Sequence, residues 1–271
     1  MDERLQIIDF SQPNEVIGFT LLLFLIVFIR YVIVSAIFFG VFYRLGGQKF
    51  AARKISIGTW KKGQFKKEII YSALTSFVFA LSGVGMLWAW QIGKTAIYTD
   101  LSIFGYWYLP VSLLIALLIH ETYYYWAHRL MHLPGLFKAV HKTHHESLIS
   151  SPWTAFSFHP WESLLQAIIV PLIVWFLPMH IYVVLAMLVI MTVSAVVNHL
   201  DIEIFPENFD QHWLGKWLIG ATHHSLHHSE FNTNYGLYFT FWDKWMHTES
   251  RKYERLFKEK TSKKTSVAAH Q

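Results

Sequence analysis

The sequence predicts an all-α integral membrane protein with four to five transmembrane or re-entrant helices and a cytoplasmic helical cap. Three observations predict it. The 271 residues are 54% hydrophobic and only 15% charged, too apolar for an ordinary soluble domain. The apolar residues gather into runs close to the roughly 20 residues of helix that cross a bilayer. Between the runs stand a strongly basic loop and histidines repeated at helical spacing.

Val16 to Tyr43 is the first span, with Arg30 its only charge. Snorkelling to the interface or an internal partner accounts for an arginine at that depth. Asp2, Glu3, Arg4, Asp9 and Glu15 precede the run. Without a basic n-region or a small-residue cleavage site, the run is expected to be a retained helix and not a cleaved signal peptide. The following loop holds Arg44, Lys49, Arg53, Lys54, Lys61, Lys62, Lys66 and Lys67 and no acid, so the positive-inside rule assigns it to the cytoplasm. Its charge suits anionic headgroups and not nucleic acid.

Ile69 to Ile92 is the second span, and Ile103 to Ile119 the third, running into His120 and Glu121. Ser163 to Asn198 lacks Asp, Glu, Lys and Arg, but Pro178, Met179 and His180 divide it. The expectation is a helical hairpin that crosses partly or fully. Counting spans returns both 120–145 and the chain from His199 onward to the cytoplasmic side. The expected divisions are 1–102, N-terminal membrane helices and basic loop; 103–248, a domain holding the clustered histidines; and 249–271, a polar tail. In that tail Lys258, Lys260, Lys263 and Lys264 are expected to be surface-exposed or disordered.

The histidines form three clusters: His128 with His132; His141 with His144 and His145; and His224 with His227 and His228. Residues three or four apart share one face of a helix, so each cluster is expected to aim its imidazoles at one point. Eight clustered imidazoles beside apolar spans point to a polynuclear metal site at a membrane surface. The chain has no cysteine, which excludes disulfides, thiolate-held iron–sulfur clusters and a cysteine nucleophile.

The segments 120–132 (HETYYYWAHRLMH), 141–145 (HKTHH), 151–160 (SPWTAFSFHP), 224–228 (HSLHH) and 234–243 (NYGLYFTFWD) together resemble the fatty acid hydroxylase/sterol desaturase superfamily. Within it the chain looks most like the C-5 sterol desaturase branch, over about Ile103 to Thr248. The resemblance implies a non-haem di-iron centre that uses O2 to hydroxylate or desaturate a membrane lipid, sterol-like or fatty-acyl. It implies the metal ligands His128, His132, His141, His144, His145, His224, His227 and His228, with His199 matching a ligand between the second and third boxes. Glu121, where the family often has Asp, lies almost on the His128 stripe and is expected to orient an imidazole. His120, His159 and Glu203 stand as further possible members of the shell. The family usually has Gly where this chain has His247. Asn234, Tyr235, Trp242 and Asp243 are expected to brace the cap.

No haem domain, flavin fingerprint or Rossmann glycine motif is present, so electrons are expected from a separate cytochrome, ferredoxin or reductase. Zinc, which generally binds such sites more tightly than Fe(II), is expected as a substitute in some preparations. Two other classes remain open on the residues alone. A zinc hydrolase would need fewer imidazoles, and HExxH is absent. A haem electron carrier or metal transporter would place histidines within the spans, whereas here they follow them.

Overall fold

The computed structural model describes residues 6–262. Asp2, Glu3 and Arg4 of the acidic N-terminus, and Lys263 and Lys264 of the tail, lie outside the described residues. The α-helices in chain order are α1 (Pro13–Phe39), α2 (Gly47–Phe50), α3 (Gln64–Gln91), α4 (Tyr108–Met131), α5 (Lys142–His145), α6 (Pro160–Ala167), α7 (Ile169–Phe176), α8 (Ile181–Asn198), α9 (Ala221–Glu230), α10 (Phe241–Trp245) and α11 (Tyr253–Thr261).

Among the described residues three helical stretches are long and apolar enough to cross a membrane: Pro13–Leu45, Gln64–Gln91 and Ile181–Asn198. Pro13 opens α1 at a position where its missing N–H costs nothing, and Glu15 complements the dipole. Ile17, Leu21, Leu25, Ile29 and Ile33 of α1 are each about half exposed, the surface of a helix that lipid and not water surrounds.

The third expected span differs. Residues 103–107 form a turn around Gly105, whose φ of +75° suits glycine, and α4 begins only at Tyr108. Its apolar part is therefore short, and the same helix continues through His120 and Glu121 to Met131.

The expected hairpin is present and broken where expected, with α7 ending at Phe176 and α8 starting at Ile181. A second break separates α6 from α7. Pro171 has no N–H to give the carbonyl of Ala167, and Ser82 of α3 supplies that bond from its hydroxyl at 2.9 Å. Two short strands depart from an all-α chain: β1 (Ile97–Tyr98) and β2 (Met179–His180) pair in parallel, and His180 Nε2 donates to the Thr99 carbonyl at 3.0 Å. This pair ties the α3–α4 connection to the hairpin turn.

At the opposite end the basic loop and the histidine segments pack together. Ile55 N–H donates to the Asp201 carbonyl at 2.9 Å, Trp60 Nε1 to the Ser150 carbonyl at 3.1 Å, and Lys67 pairs with Glu146. Glu68, fully buried on α3, accepts hydroxyl bonds from Ser147, Ser151 and Thr154 at 2.8–2.9 Å. That carboxylate pins the loop that follows the second histidine cluster.

The start of the expected tail is a docked helix. Tyr253 and Phe257 of α11 are buried against Leu226 of α9, because apolar residues four apart give α11 one packing face. Lys258 is exposed, as expected for the other face.

Candidate metal centre

Four elements deliver histidines to one buried region. His128 lies in the last turns of α4 and His132 at its end. His141 closes a π-helical turn, with His144 and His145 following in α5. His199 caps α8, and His224, His227 and His228 line α9. All are buried except half-buried His132.

Their donor atoms gather into two groups: His128, His132, His141, His145 and His227 in one, and His144, His199, His224 and His228 in the other, with the atoms of each group within 4.8 Å of one another. The nine residues singled out by the sequence are thus brought together, but not cluster by cluster. His141 and His145 join one group while His144 joins the other; His224 and His228 join one while His227 joins the other. Helical geometry explains the division. Positions i+3 and i+4 depart from i in opposite senses, by roughly 60° and 40°, so neighbouring imidazoles splay to two sides.

Hydrogen bonds to the outer ring nitrogens set the tautomers. A carbonyl only accepts, so Nδ1 carries the proton in His128, bonded to Tyr235 at 2.8 Å, His144 to Ser157 at 3.3 Å, His199 to Ala195 at 2.7 Å and His227 to Thr233 at 2.7 Å. His141 Nδ1 lies 2.8 Å from the buried Glu162 carboxylate. Every neutral ring held this way turns an Nε2 lone pair inward. Burial first, and the neighbouring imidazoles second, hold His144, His145, His224, His227 and His228 well below the usual histidine range.

The Nε2 atoms then crowd. His144 and His199 approach to 3.1 Å, His224 and His199 to 2.9 Å, His128 and His141 to 3.0 Å, and His145 and His227 to 3.0 Å. For His144 and His199 both protons sit on Nδ1, so two buried lone pairs face each other. A cation between them removes that repulsion. With imidazole–metal bonds of about 2.1 Å, two nitrogens at right angles on one metal stand about 3 Å apart. The donor set therefore fits metal in both groups.

A largely apolar cavity of about 560 Å³ adjoins the second group, within the range of small-ligand sites. His199, His120, Tyr124, Phe158 and Leu237 line it beside residues of α1, α3, α7 and α8. Its lining includes Ile26 and Leu185, each about half exposed, so it reaches the lipid-facing surface of the helices.

A fatty acid hydroxylase family model matches residues 113–248, which include every one of these histidines. The chain belongs to the fatty acid hydroxylase family. A Delta(7)-sterol 5(6)-desaturase of Gibberella zeae is 30% identical over 67% of this chain and 55% of its own length. The lathosterol oxidase of Mus musculus is 29% identical over 68% of this chain and 60% of its own length. These relatives support the sterol desaturase-like branch of the family. The chain spans little more than half the length of these curated relatives. No solved structure matches it.

Other residues expected near the metals take different places. Glu121 contacts no imidazole; it accepts the N–H groups of Leu237 at 3.1 Å and Tyr238 at 2.7 Å. Asp243 accepts those of Tyr235 and Gly236 at 2.9 and 3.0 Å. The two carboxylates fix the segment whose Tyr235 carbonyl holds His128, so Glu121 acts on the imidazole through backbone. Gly236 must lack a side chain, because a Cβ would stand 2.8 Å from Glu121 Oε1 and 2.5 Å from Ile219. Glu203 lies outside both groups, accepting Thr222 N–H at 3.1 Å at the start of α9. His159 lies outside them too, capping α6 through Trp161 N–H at 3.4 Å. His120 belongs to neither group but lines the cavity.

Sequence reasoning missed Glu162. Its signal was available: a lone acid at the edge of an uncharged apolar run, two residues past Pro160.

Proposed function

We propose that this family member is a membrane-bound, O2-dependent oxidase of a sterol-like or fatty-acyl lipid, with an iron in each histidine group and electrons from a separate cytochrome, ferredoxin or reductase. Residues 103–248 form the catalytic domain, followed by the short segment from 249. Four to five passes place the cap on the cytoplasmic side, α4 and the α6–α7 hairpin arm adding to the three long apolar helices. The packing of the basic loop against the histidine segments supports one side for both.

The observation that carries the reading is the His144–His199 pair, two buried lone pairs 3.1 Å apart at the wall of an apolar cavity. When bound, iron in such a set supplies the oxidant needed to break an unactivated C–H bond, giving an alcohol or an alkene. The chain's own residues do the rest. Backbone carbonyls of Tyr235, Ser157, Ala195 and Thr233 hold the imidazoles in the tautomer that offers Nε2. Apolar walls on α1, α3 and α8 exclude water and receive the lipid body laterally. Phe158 and Leu237 line the same cavity as His199, so a carbon brought to the His199 wall sits beside the second group.

Metal analysis with Mössbauer spectroscopy tests this on detergent-purified protein grown with iron-57, beside His144→Ala. About two irons per chain with coupled spectra, lost in the variant, are expected. One metal, haem, or a variant indistinguishable from the parent would overturn the di-iron reading. Iron-loaded protein that never coupled O2 consumption to lipid loss with any donor would overturn the oxidase reading.

A further inference from the structure

Arg30 is the only basic residue of α1, and it lines the cavity that reaches His199. Its Nε is buried without a hydrogen-bond partner, and among the described residues no carboxylate pairs with its guanidinium. No internal counter-ion accounts for it. Four other polar groups on the cavity wall are committed within the protein: Ser82 to the Ala167 carbonyl, Tyr123 to that of Leu165, Thr192 to that of Leu188, and Gln166 to Glu162; His120 Nδ1, on the same wall, is the other buried nitrogen without a partner. The cavity is thus a greasy space with one unengaged, permanently charged donor group.

A guanidinium carries five N–H donors and no acceptor, and stays charged. Away from water such a group is costly unless an acceptor meets it. Its place on a wall shared with His199 makes the occupant of the cavity the natural source of that acceptor.

We propose that Arg30 anchors the polar end of the lipid substrate by donating to an acceptor oxygen, the hydroxyl of a sterol or the carboxylate of a fatty acid, while the apolar body fills the remaining cavity. The assignment rests on the lipid-oxidation reading for the identity of the occupant, but it needs no metal. Arg30 is a specificity-determining residue on this account. Lipids of equal apolar bulk without the oxygen bind in the same space more weakly.

Equilibrium binding to the full chain in phosphatidylcholine nanodiscs tests it, with empty discs subtracted. The probes are cholesterol against its analogue lacking the 3-hydroxyl, and palmitate against hexadecane. Protein prepared with iron and protein stripped by chelation are both measured, so loss of the oxidase reading and loss of this one are separable. The parent chain is expected to prefer the oxygenated member of one pair by about tenfold or more, and the favoured pair names the headgroup. Arg30→Met abolishes that preference while binding the deoxygenated probe as before, and Arg30→Lys retains part of it. A parent chain without preference in either pair would overturn the proposal. So would Arg30→Met, or Arg30→Gln if the first variant does not fold, that keeps the preference or loses both probes equally.

Discussion

The Glu121 carboxylate accepts the N–H of Tyr238 at 2.7 Å, joining the middle of α4 to a segment that lies beyond the last histidine cluster. Replacing Glu121 by Ala leaves the buried N–H groups of Leu237 and Tyr238 unsatisfied, at about 1–3 kcal/mol each. It also loosens the Tyr235 carbonyl that orients His128. The expected outcome is a chain several kcal/mol less stable, with metal affinity lowered about 10- to 100-fold. Glu121→Gln keeps one acceptor and falls between. Thermal unfolding and competitive chelator titration of the three proteins check this. Normal metal affinity in Glu121→Ala would show that the segment holds its place without the carboxylate.

The histidine spacing made the gathering of the imidazoles legible from the sequence, because ligand residue types repeated at three and four positions carry their own geometry. What spacing along one helix does not contain is which group each imidazole serves. That depends on how α4, α5, α8 and α9 meet, and the alternation of His144 against His141 and His145 arises only there. The long apolar helices were legible for a similar reason, since composition and length alone identify α1 and α3 and mark α8 as one arm of a hairpin. The third expected span starts later, because a turn around Gly105 takes residues 103–107 and α4 opens at Tyr108. Glu121 was placed by angle on the right stripe, but its direct partners are backbone N–H groups and not an imidazole. Its acceptors face a backbone segment over a hundred residues away, which no local pattern encodes. The docking of α11 was available in Tyr253, Leu256 and Phe257, but the lysines around them dominated the composition.

The buried imidazoles make the metal-free chain acid-sensitive. Burial lowers the folded-state affinity of His145, His227 and His228 for protons, while in the unfolded chain each titrates near 6.5. Below that value the unfolded state binds more protons, so stability rises with pH toward 7 and falls as pH drops through 6.5. Each such histidine contributes about 1.4 kcal/mol of loss per pH unit below 6.5. Chelator-treated protein is expected to melt markedly lower at pH 5.5 than at pH 7.5. His145→Phe, which removes one titrating ring, should flatten the dependence. Equal melting temperatures at the two pH values would contradict neutral burial of these rings.

His247 occupies a backbone position with φ of +54°, a left-handed conformation that costs a residue with a Cβ about 1–2 kcal/mol. The glycine usual at this point in the family adopts it freely. His247 is exposed, so its ring contributes no buried packing. His247→Gly is therefore expected to raise the unfolding midpoint by the equivalent of about 1 kcal/mol, with metal content unchanged. His247→Val, β-branched at the same φ, is expected to lower it. Calorimetric or fluorescence melts of both variants in one detergent check the opposite signs.

Ser82 and Pro171 form a compensating pair across two helices. Proline at 171 withholds the N–H that Ala167 would otherwise accept, and the Ser82 hydroxyl substitutes for it at 2.9 Å. If that bond is what permits the break between α6 and α7, Ser82→Ala alone leaves a carbonyl unsatisfied within an apolar region. The cost expected for a polar contact there is about 0.6–2 kcal/mol. Pro171→Ala restores the missing donor, so in that background Ser82→Ala should cost little. The coupling between the two substitutions, read from a double-mutant cycle of unfolding free energies, is expected to approach the whole cost of the single serine change. Strictly additive effects would mean that the hydroxyl does not stand in for the missing N–H, and that the break rests on packing of α6 and α7 against their neighbours instead.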